Sequence, residues 1–595
     1  ELKKLADPKE IKETERFEFK WFGKAKAKRT AFTPSKGALV YDERRSVNPE
    51  KANGNLIIEG ENLEVLKLLL SAYREKIKCI YIDPPYNTGK DFVYSDNYTE
   101  EKKAYWEQNG TTENGVRVDT NSESDGRFHS NWLNMMYSRL LVARQLLRED
   151  GVIFVSIDDN EVHHLRMLMN EVFGEENFVD TIIWKKRYGG GAKEKYLVSI
   201  HDYVLFYAKN IDQIEPIFIP TNLESIEKYY NNKDENYDKR GPYRTHPLEA
   251  TKNMGERKNL IYPITAPDGT QIYPKRQWLW SQERTMAALA KNEIAFIKDK
   301  DGNWSIHTKQ YLRDENGEIR ASKAFSIIDD VYTQHGTNEI IEILGNIQIF
   351  PFPKPVKLIQ YLLNIGSEND SDIILDFFAG SGTTAHAVME LNREDGGNRK
   401  FILVQLPELT DEKSEAYKAG YKKISDITIE RVKRVIENFK RKDAETQSNT
   451  QKKNLQLFDS AELSASAPLR SDFGFKVYRL TKSNFPRVEF SPDPEKTEEE
   501  NIALLKKYIA EKEAALKNLF NEKDIIDEVL LKNGFMLDYT LTQLPEFSEN
   551  KVYQVKDAYK EALICLDNTL KEETINYFKE NKDKLFICLG CFCPR

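Results

Sequence analysis

The stretch Cys79-Ile80-Tyr81-Ile82-Asp83-Pro84-Pro85-Tyr86 leaves the backbone few choices. Cys79 to Ile82 is a short apolar run with β-branched and aromatic residues, the pattern of a buried strand. Asp83 falls where that strand ends. Two prolines follow, so the chain there can neither extend a sheet ladder nor begin a helix. The outcome is a stiff turn offering a carboxylate, the Pro84 carbonyl and the Tyr86 ring. A planar amine could hydrogen-bond to the first two and stack on the third. A plain polar strand end with a proline turn would read the same in isolation, so the remaining chain has to decide.

A second strand end lies nearly three hundred residues downstream. Ile373-Ile374-Leu375-Asp376-Phe377-Phe378-Ala379-Gly380-Ser381-Gly382-Thr383-Thr384 reads as a strand, an acidic residue, a glycine-rich turn and a helix start. Gly380 and Gly382 allow positive φ and close backbone approach, and a helix N-terminus favours an anionic group. Many such turns merely join a strand to a helix. The next strand, Phe401 to Val404, ends at Gln405 and Glu408, where a ribose-binding side chain is often placed.

Between and around these signals strands alternate with helices. Leu56-Ile57-Ile58 is a strand, and Leu63 to Tyr73 a helix with Asn62 as its expected N-cap. Trp132 to Leu147 is a helix and Val152 to Ile157 a buried strand; further strands lie near Thr181–Trp184 and Asp202–Tyr207. This alternation predicts an α/β fold with a doubly wound, mostly parallel sheet. The polar stretch 87–130 sits directly after Asp83, where ligands gather in such sheets. At 595 residues several domains are expected. Residues 1–50 read as an N-terminal arm, 51–208 as the catalytic half and 209–346 as an inserted α+β domain. Residues 347–440 read as the glycine-turn half, 441–470 as a linker and 471–595 as a C-terminal α+β domain. The apolar stripe Ile502, Leu505, Ile509, Leu516, Leu519 suits a core or a subunit interface.

Composition narrows the setting. Residues 1–28 are charged throughout and show no signal-peptide pattern, and no apolar run approaches the ~20 residues that span a bilayer, so a cytoplasmic, non-membrane protein is expected. Five cysteines, Cys79 and four from Cys565 onward, do not form a disulfide framework. Cys588-x-x-Cys591-x-Cys593 lacks a fourth ligand at proper spacing, and no metal is expected. The net charge of −8 weighs against nucleic acid only if charge is spread evenly. Residues 1–36 hold eleven Lys/Arg against six Asp/Glu, and Lys185-Lys186-Arg187 heads another basic patch.

The two turns, in this order and separated by an insert, resemble the β-class amino methyltransferases of DNA. Asn55 to Leu66, Gly151 to Asp159 and Asn398 to Glu408 are similar to the modification (Mod) subunit of type III restriction–modification systems, and the resemblance runs from about residue 50 to 580. It implies a Rossmann-like methyltransferase fold in permuted order, with S-adenosyl-L-methionine as methyl donor and adenine N6 in double-stranded DNA as acceptor. It implies that Asp83, Pro84, Pro85 and Tyr86 form the catalytic turn, with Tyr86 stacked on a flipped base. It implies a cofactor site of Asp376, Phe378, Ala379, Gly380, Gly382 and Thr383, with Gln405 or Glu408 on the ribose and Lys354 facing the cofactor carboxylate. Asp rather than Ser before Pro-Pro-Tyr implies adenine over cytosine. The insert would recognise the target, with Arg244, Lys275, Arg276 and Gln277 among its polar candidates. A homodimer and a separate ATP-dependent restriction (Res) subunit are implied partners, since this chain has no Gly-x-x-x-x-Gly-Lys-Ser/Thr loop. A solitary methyltransferase and a non-catalytic DNA-specificity subunit are the alternatives.

Overall fold

The computed structural model describes residues 18–88, 128–189, 195–221, 223–251, 255, 257–300, 302–367, 371–453, 472–483, 497–519, 522–567, 569–581 and 584–588. Its strands run in chain order from β1 (Gly37–Tyr41), β2 (Leu56–Glu59), β3 (Ile77–Ile82) and β4 (Leu147–Ile157) to β5 (Phe178–Lys185) and β6 (His201–Ala208). The insert carries β7 (Tyr243–Pro247), β8 (Ile264–Thr265), β9 (Gln271–Ile272), β10 (Ile294–Lys298) and β11 (Trp304–Tyr311). β12 (Ile327–Ile328), β13 (Ile373–Asp376), β14 (Lys400–Gln405) and β15 (Lys476–Lys482) follow. The C-terminal part adds β16 (Thr540–Gln543), β17 (Val552–Lys556), β18 (Glu561–Cys565) and β19 (Leu585–Cys588).

Ten strands form one sheet in the order β1-β15-β2-β14-β13-β3-β4-β6-β5-β12. From β15 through β4 every neighbouring pair is parallel, whereas β1 and β6 run antiparallel to their neighbours. All residues of β2, β3 and β13 are buried, as strands covered by helices on both faces must be. Chain order reverses between β13 and β3: β3 leads outward to β4, and β13 leads the opposite way to β14. At such a reversal the crevice at the carboxyl ends of the strands is left open.

Several boundaries differ from the sequence reading. The supposed arm supplies a helix, Lys24–Phe32, and β1, and buries Ala27, Ala31 and Leu39 in the main core. The insert is the compact unit Pro216–Ala324, shorter than 209–346; the helix Thr333–Leu344 belongs to the other unit. Within the insert, β10, β11 and β7 form an antiparallel sheet, and Leu248, Tyr262, Ile264, Trp278 and Ile306 make a core of its own. Gln277 is buried there and accepts the Arg257 N–H at 3.2 Å, which withdraws it from base reading. The helix Ile424–Lys453 runs on into the supposed linker, whose residues 454–470 lie outside the described residues. β15 enters the central sheet beside β2, so the C-terminal part does not begin as a separate domain. Its Leu537 N–H donates to the Tyr73 hydroxyl at 3.0 Å. Residues 89–127 and the last two cysteines also lie outside the described residues. No described helix is long and apolar enough to cross a membrane.

Candidate active site

β3 and β13 lie side by side in parallel, with Ile80 opposite Leu375, so Asp83 and Asp376 end neighbouring strands at the open crevice. Asp202, on antiparallel β6, reaches the same edge, where its carboxyl is pushed up by burial against the pull of a Lys186 hydrogen bond at 2.6 Å. Three carboxyl groups therefore converge.

The Asp83 carboxylate is half-buried, and both its oxygens lie 2.6 Å from the Lys354 ammonium. Lys354 also stands 4.9 Å from the centre of the Tyr86 ring. The resemblance implies that this lysine faces the cofactor carboxylate; in the structure it is paired with Asp83. Two features bring it there. Pro355 ends the extended segment, and the helix Val356–Gly366 begins directly after it. A Cβ on Gly336 would come within 2.5 Å of the Pro353 carbonyl, so only glycine admits that segment. The Tyr86 hydroxyl is buried near Asp83 with no well-formed hydrogen bond among the described residues, and burial first, then Asp83, raises its pKa. The turn itself is tied down by Trp132, whose indole N–H donates to the Pro85 carbonyl at 2.7 Å.

The second turn is more deeply set. Asp376 accepts the Phe378 N–H at 3.0 Å and the Thr384 hydroxyl at 2.6 Å. Burial nevertheless pushes its carboxyl up to about 7, with Asp83 adding to the shift. Gly380 and Gly382 both have positive φ, and a Cβ on Gly380 would lie 3.3 Å from the Phe350 ring. Phe378 and Ala379 are buried, and the Ala379 N–H donates to the Val404 carbonyl. Beneath the turn, Arg431 donates to Ser381 and Thr383 at 2.7 Å each and to Glu339 at 3.2 Å. Burial brings the Arg431 guanidinium down to about 10 and lifts Glu339 to about 7. Gln405 is not free for a ribose: its Oε1 accepts the Gly380 N–H at 2.7 Å and its Nε2 donates to the Leu406 carbonyl. Glu408 has no side-chain partner among the described residues, and burial alone raises its pKa.

One helix serves both turns. Phe128–Leu146 supplies Trp132 to the Pro85 carbonyl and, two turns further on, the buried Arg139. Arg139 holds Asn62 at 2.5 Å, and Asn62 donates to the Phe377 carbonyl at 2.9 Å. Asn62 is thus a bridge to the glycine turn; Glu61 caps the helix in its place, accepting the Leu63 and Glu64 N–H groups. The sequence pattern alone does not mark the roles of Arg139, Arg431, Trp132 or Asn62. A charged residue inside an apolar helical stripe, as at Arg431 between Ile427 and Val435, was the available signal for the two arginines.

Residues 77–456 match the family described as DNA methylase. The chain is 34% identical over 474 residues to the type III restriction–modification enzyme StyLTI Mod subunit of Salmonella typhimurium, covering 78% of this chain and 66% of that protein. It is 35% identical over 453 residues to the EcoPI Mod subunit of Escherichia phage P1, covering 71% and 68%. It is also 31% identical over 426 residues to the type II methyltransferase M.KpnI of Klebsiella pneumoniae, covering 67% and 91%. With a family match over more than half its length and these relatives, the chain belongs to the DNA methylase family, among the type III Mod subunits.

Proposed function

We propose that this chain transfers a methyl group from S-adenosyl-L-methionine to adenine N6 at a specific sequence in double-stranded DNA, as the recognition and modification subunit of a type III restriction–modification enzyme. The observation that carries this reading is the placement of Asp83 and the Gly380–Gly382 turn on adjacent strand ends at the sheet's reversal point. The residues fit the cofactor. Gly380 leaves no Cβ to crowd the Phe350 ring, and the half-buried Glu408 is an acceptor without a side-chain partner among the described residues, suited to ribose hydroxyls. Asp376, Phe378, Ala379, Gly382 and Thr383 would complete the cradle.

S-adenosylmethionine supplies a methyl already activated by its sulfonium, so the protein's task is placement, worth up to roughly 7–11 kcal/mol. The flipped adenine stacks on Tyr86, and its amine donates to the Asp83 carboxylate and the Pro84 carbonyl. Stacking and these bonds offset the few kcal/mol of flipping. Lys354 yields one Asp83 oxygen as the amine arrives. The nitrogen that gains a methyl loses a proton, for which Asp83 is the adjacent acceptor. Asp before Pro-Pro-Tyr, in a chain similar to Mod subunits, supports adenine over cytosine. The 216–324 insert reads bases, and the chain works as a dimer with a separate ATP-dependent Res subunit.

Single-molecule sequencing of DNA from a methylation-free host expressing the chain should report N6-methyladenine in one fixed motif. N4-methylcytosine, or no mark, overturns the reading. Asp83→Ala should keep cofactor affinity by calorimetry and lose the mark. The 91% coverage of M.KpnI favours a second reading, the same chemistry without a nuclease partner. An ATP-dependent nuclease subunit co-purifying with the tagged chain separates the two.

A further inference from the structure

Past Tyr86 the chain enters the left-handed region at Asn87, with φ 59° and 2% exposure. Asparagine is one of the few residues that adopt this conformation readily. Its Nδ2 donates to Glu161 Oε1 at 2.5 Å. The same oxygen lies 2.6 Å from His129 Nδ1, and the other carboxylate oxygen 2.8 Å from His164 Nδ1. Glu161 is wholly buried and directly precedes the helix Val162–Phe173, yet its side chain does not cap that helix. It reaches across to the catalytic turn instead. His129 sits on the first turn of the 128–146 helix, three residues before Trp132, which holds the Pro85 carbonyl. Tyr86 is therefore gripped from both sides, through Pro85 by Trp132 and through Asn87 by Glu161.

His129, Glu161 and His164 also present donor atoms within 4.8 Å of one another, the residue types of a divalent metal site. Here both carboxylate oxygens already face donors, so the group is satisfied as it stands. We propose that Glu161 is a positioning residue for methyl transfer: through Asn87 it fixes the Tyr86 ring and the Asp83 carboxylate in the geometry that receives the flipped base. The inference rests on the methyltransferase reading above. Glu161 touches no substrate; it acts through Asn87. Misplacement by a fraction of an ångström slows a reaction whose acceleration comes from alignment, while leaving the glycine turn on β13 as it was.

The test uses the full chain and two duplexes bearing its mapped motif, one with adenine at the target base for methylation and one with 2-aminopurine there for fluorescence. Asn87→Ala, Glu161→Gln and the double variant are compared with wild type in single-turnover methylation, cofactor calorimetry and 2-aminopurine fluorescence. Each single variant should slow the transfer up to about a hundredfold with cofactor affinity within about twofold, and the double should be no slower than the slower single. The 2-aminopurine quenching that reports stacking on Tyr86 should weaken in parallel. An unchanged rate in Asn87→Ala overturns the proposal, and that variant leaves the Glu161–histidine contacts in place even if Glu161→Gln folds poorly. A double variant slowed by the product of the two singles overturns it as well. So does stoichiometric Zn²⁺ in the wild type that Glu161→Gln loses. A wild type that leaves the DNA unmethylated defeats the methyltransferase reading instead.

Discussion

Arg431 is fully buried, and its guanidinium is the underside of the glycine turn. Such a charge is tolerated only with partners, here Ser381, Thr383 and the Glu339 carboxylate. Arg431→Met should therefore cost about 3–5 kcal/mol in urea unfolding, because Glu339 is left behind without its counterion. A loss below about 1 kcal/mol would show that the turn holds itself. Asp376 makes the opposite kind of statement. Its carboxyl titrates at about 7 in the folded chain, above its unfolded value near 3.8, so the native state binds a proton that the unfolded state releases. Stability then falls as pH rises between those values, by on the order of 4 kcal/mol from this group. Asp376→Asn should flatten that slope, gaining on wild type from pH 4 to 7 in denaturation series. Equal slopes would remove the buried carboxyl from the account. Neither residue's environment was legible. Asp376 is marked by its type and place, but its burial depends on the glycine turn folding back onto it through Phe378 and Thr384 and on β14 beside it, which come later in the chain.

At the level of elements, strand ends were the readable part. Ile80 to Asp83 and Ile374 to Asp376 each close an apolar run with an aspartate; β3 ends at Ile82, just before Asp83, and β13 ends on Asp376 itself. Caps were less readable, because local chemistry permits two answers and a distant partner chooses. Asn62 could cap its helix; Arg139, 77 residues away, draws it off toward Phe377. Gln405 could face a ribose; the bare Gly380 N–H takes it first. Trp132→Phe keeps an aromatic ring while deleting the donor to Pro85. It should lower stability by about 1 kcal/mol and reduce kcat with little change in cofactor affinity, measured by steady-state methylation and calorimetry. Gly382→Ala would force a left-handed φ of 84° on a residue whose Cβ lies 3.2 Å from Val432. It should weaken cofactor binding and destabilise by about 1–2 kcal/mol.

For the whole molecule, the insert's existence was legible from its change of composition, and its limits were not, since the return to the sheet at β12 is only two residues long. Phe473 to Leu480 reads as a strand of a separate terminal domain, whereas β15 joins the central sheet between β1 and β2; β1 is a short edge strand that makes sense only beside β15. The Pro216–Ala324 unit has its own core and leaves the central unit's ten-stranded sheet complete. Replacing it with a short Gly/Ser linker should preserve cofactor affinity and abolish motif-specific methylation. Lost cofactor affinity would mean that the insert supports the fold. The 128–146 helix gives this division a further meaning. It reaches one turn through Trp132 and the other through the Arg139–Asn62 pair, Arg139 lying seven residues on, a span of about 10 Å in a helix rising 1.5 Å per residue. It acts as a ruler cut to one length. On the proposed reading, methyl donor and acceptor are held apart by a helix of the central unit rather than by the insert. If the insert reads bases, as proposed, exchanging it would alter which sites are marked while the gap across which the methyl travels stays the same.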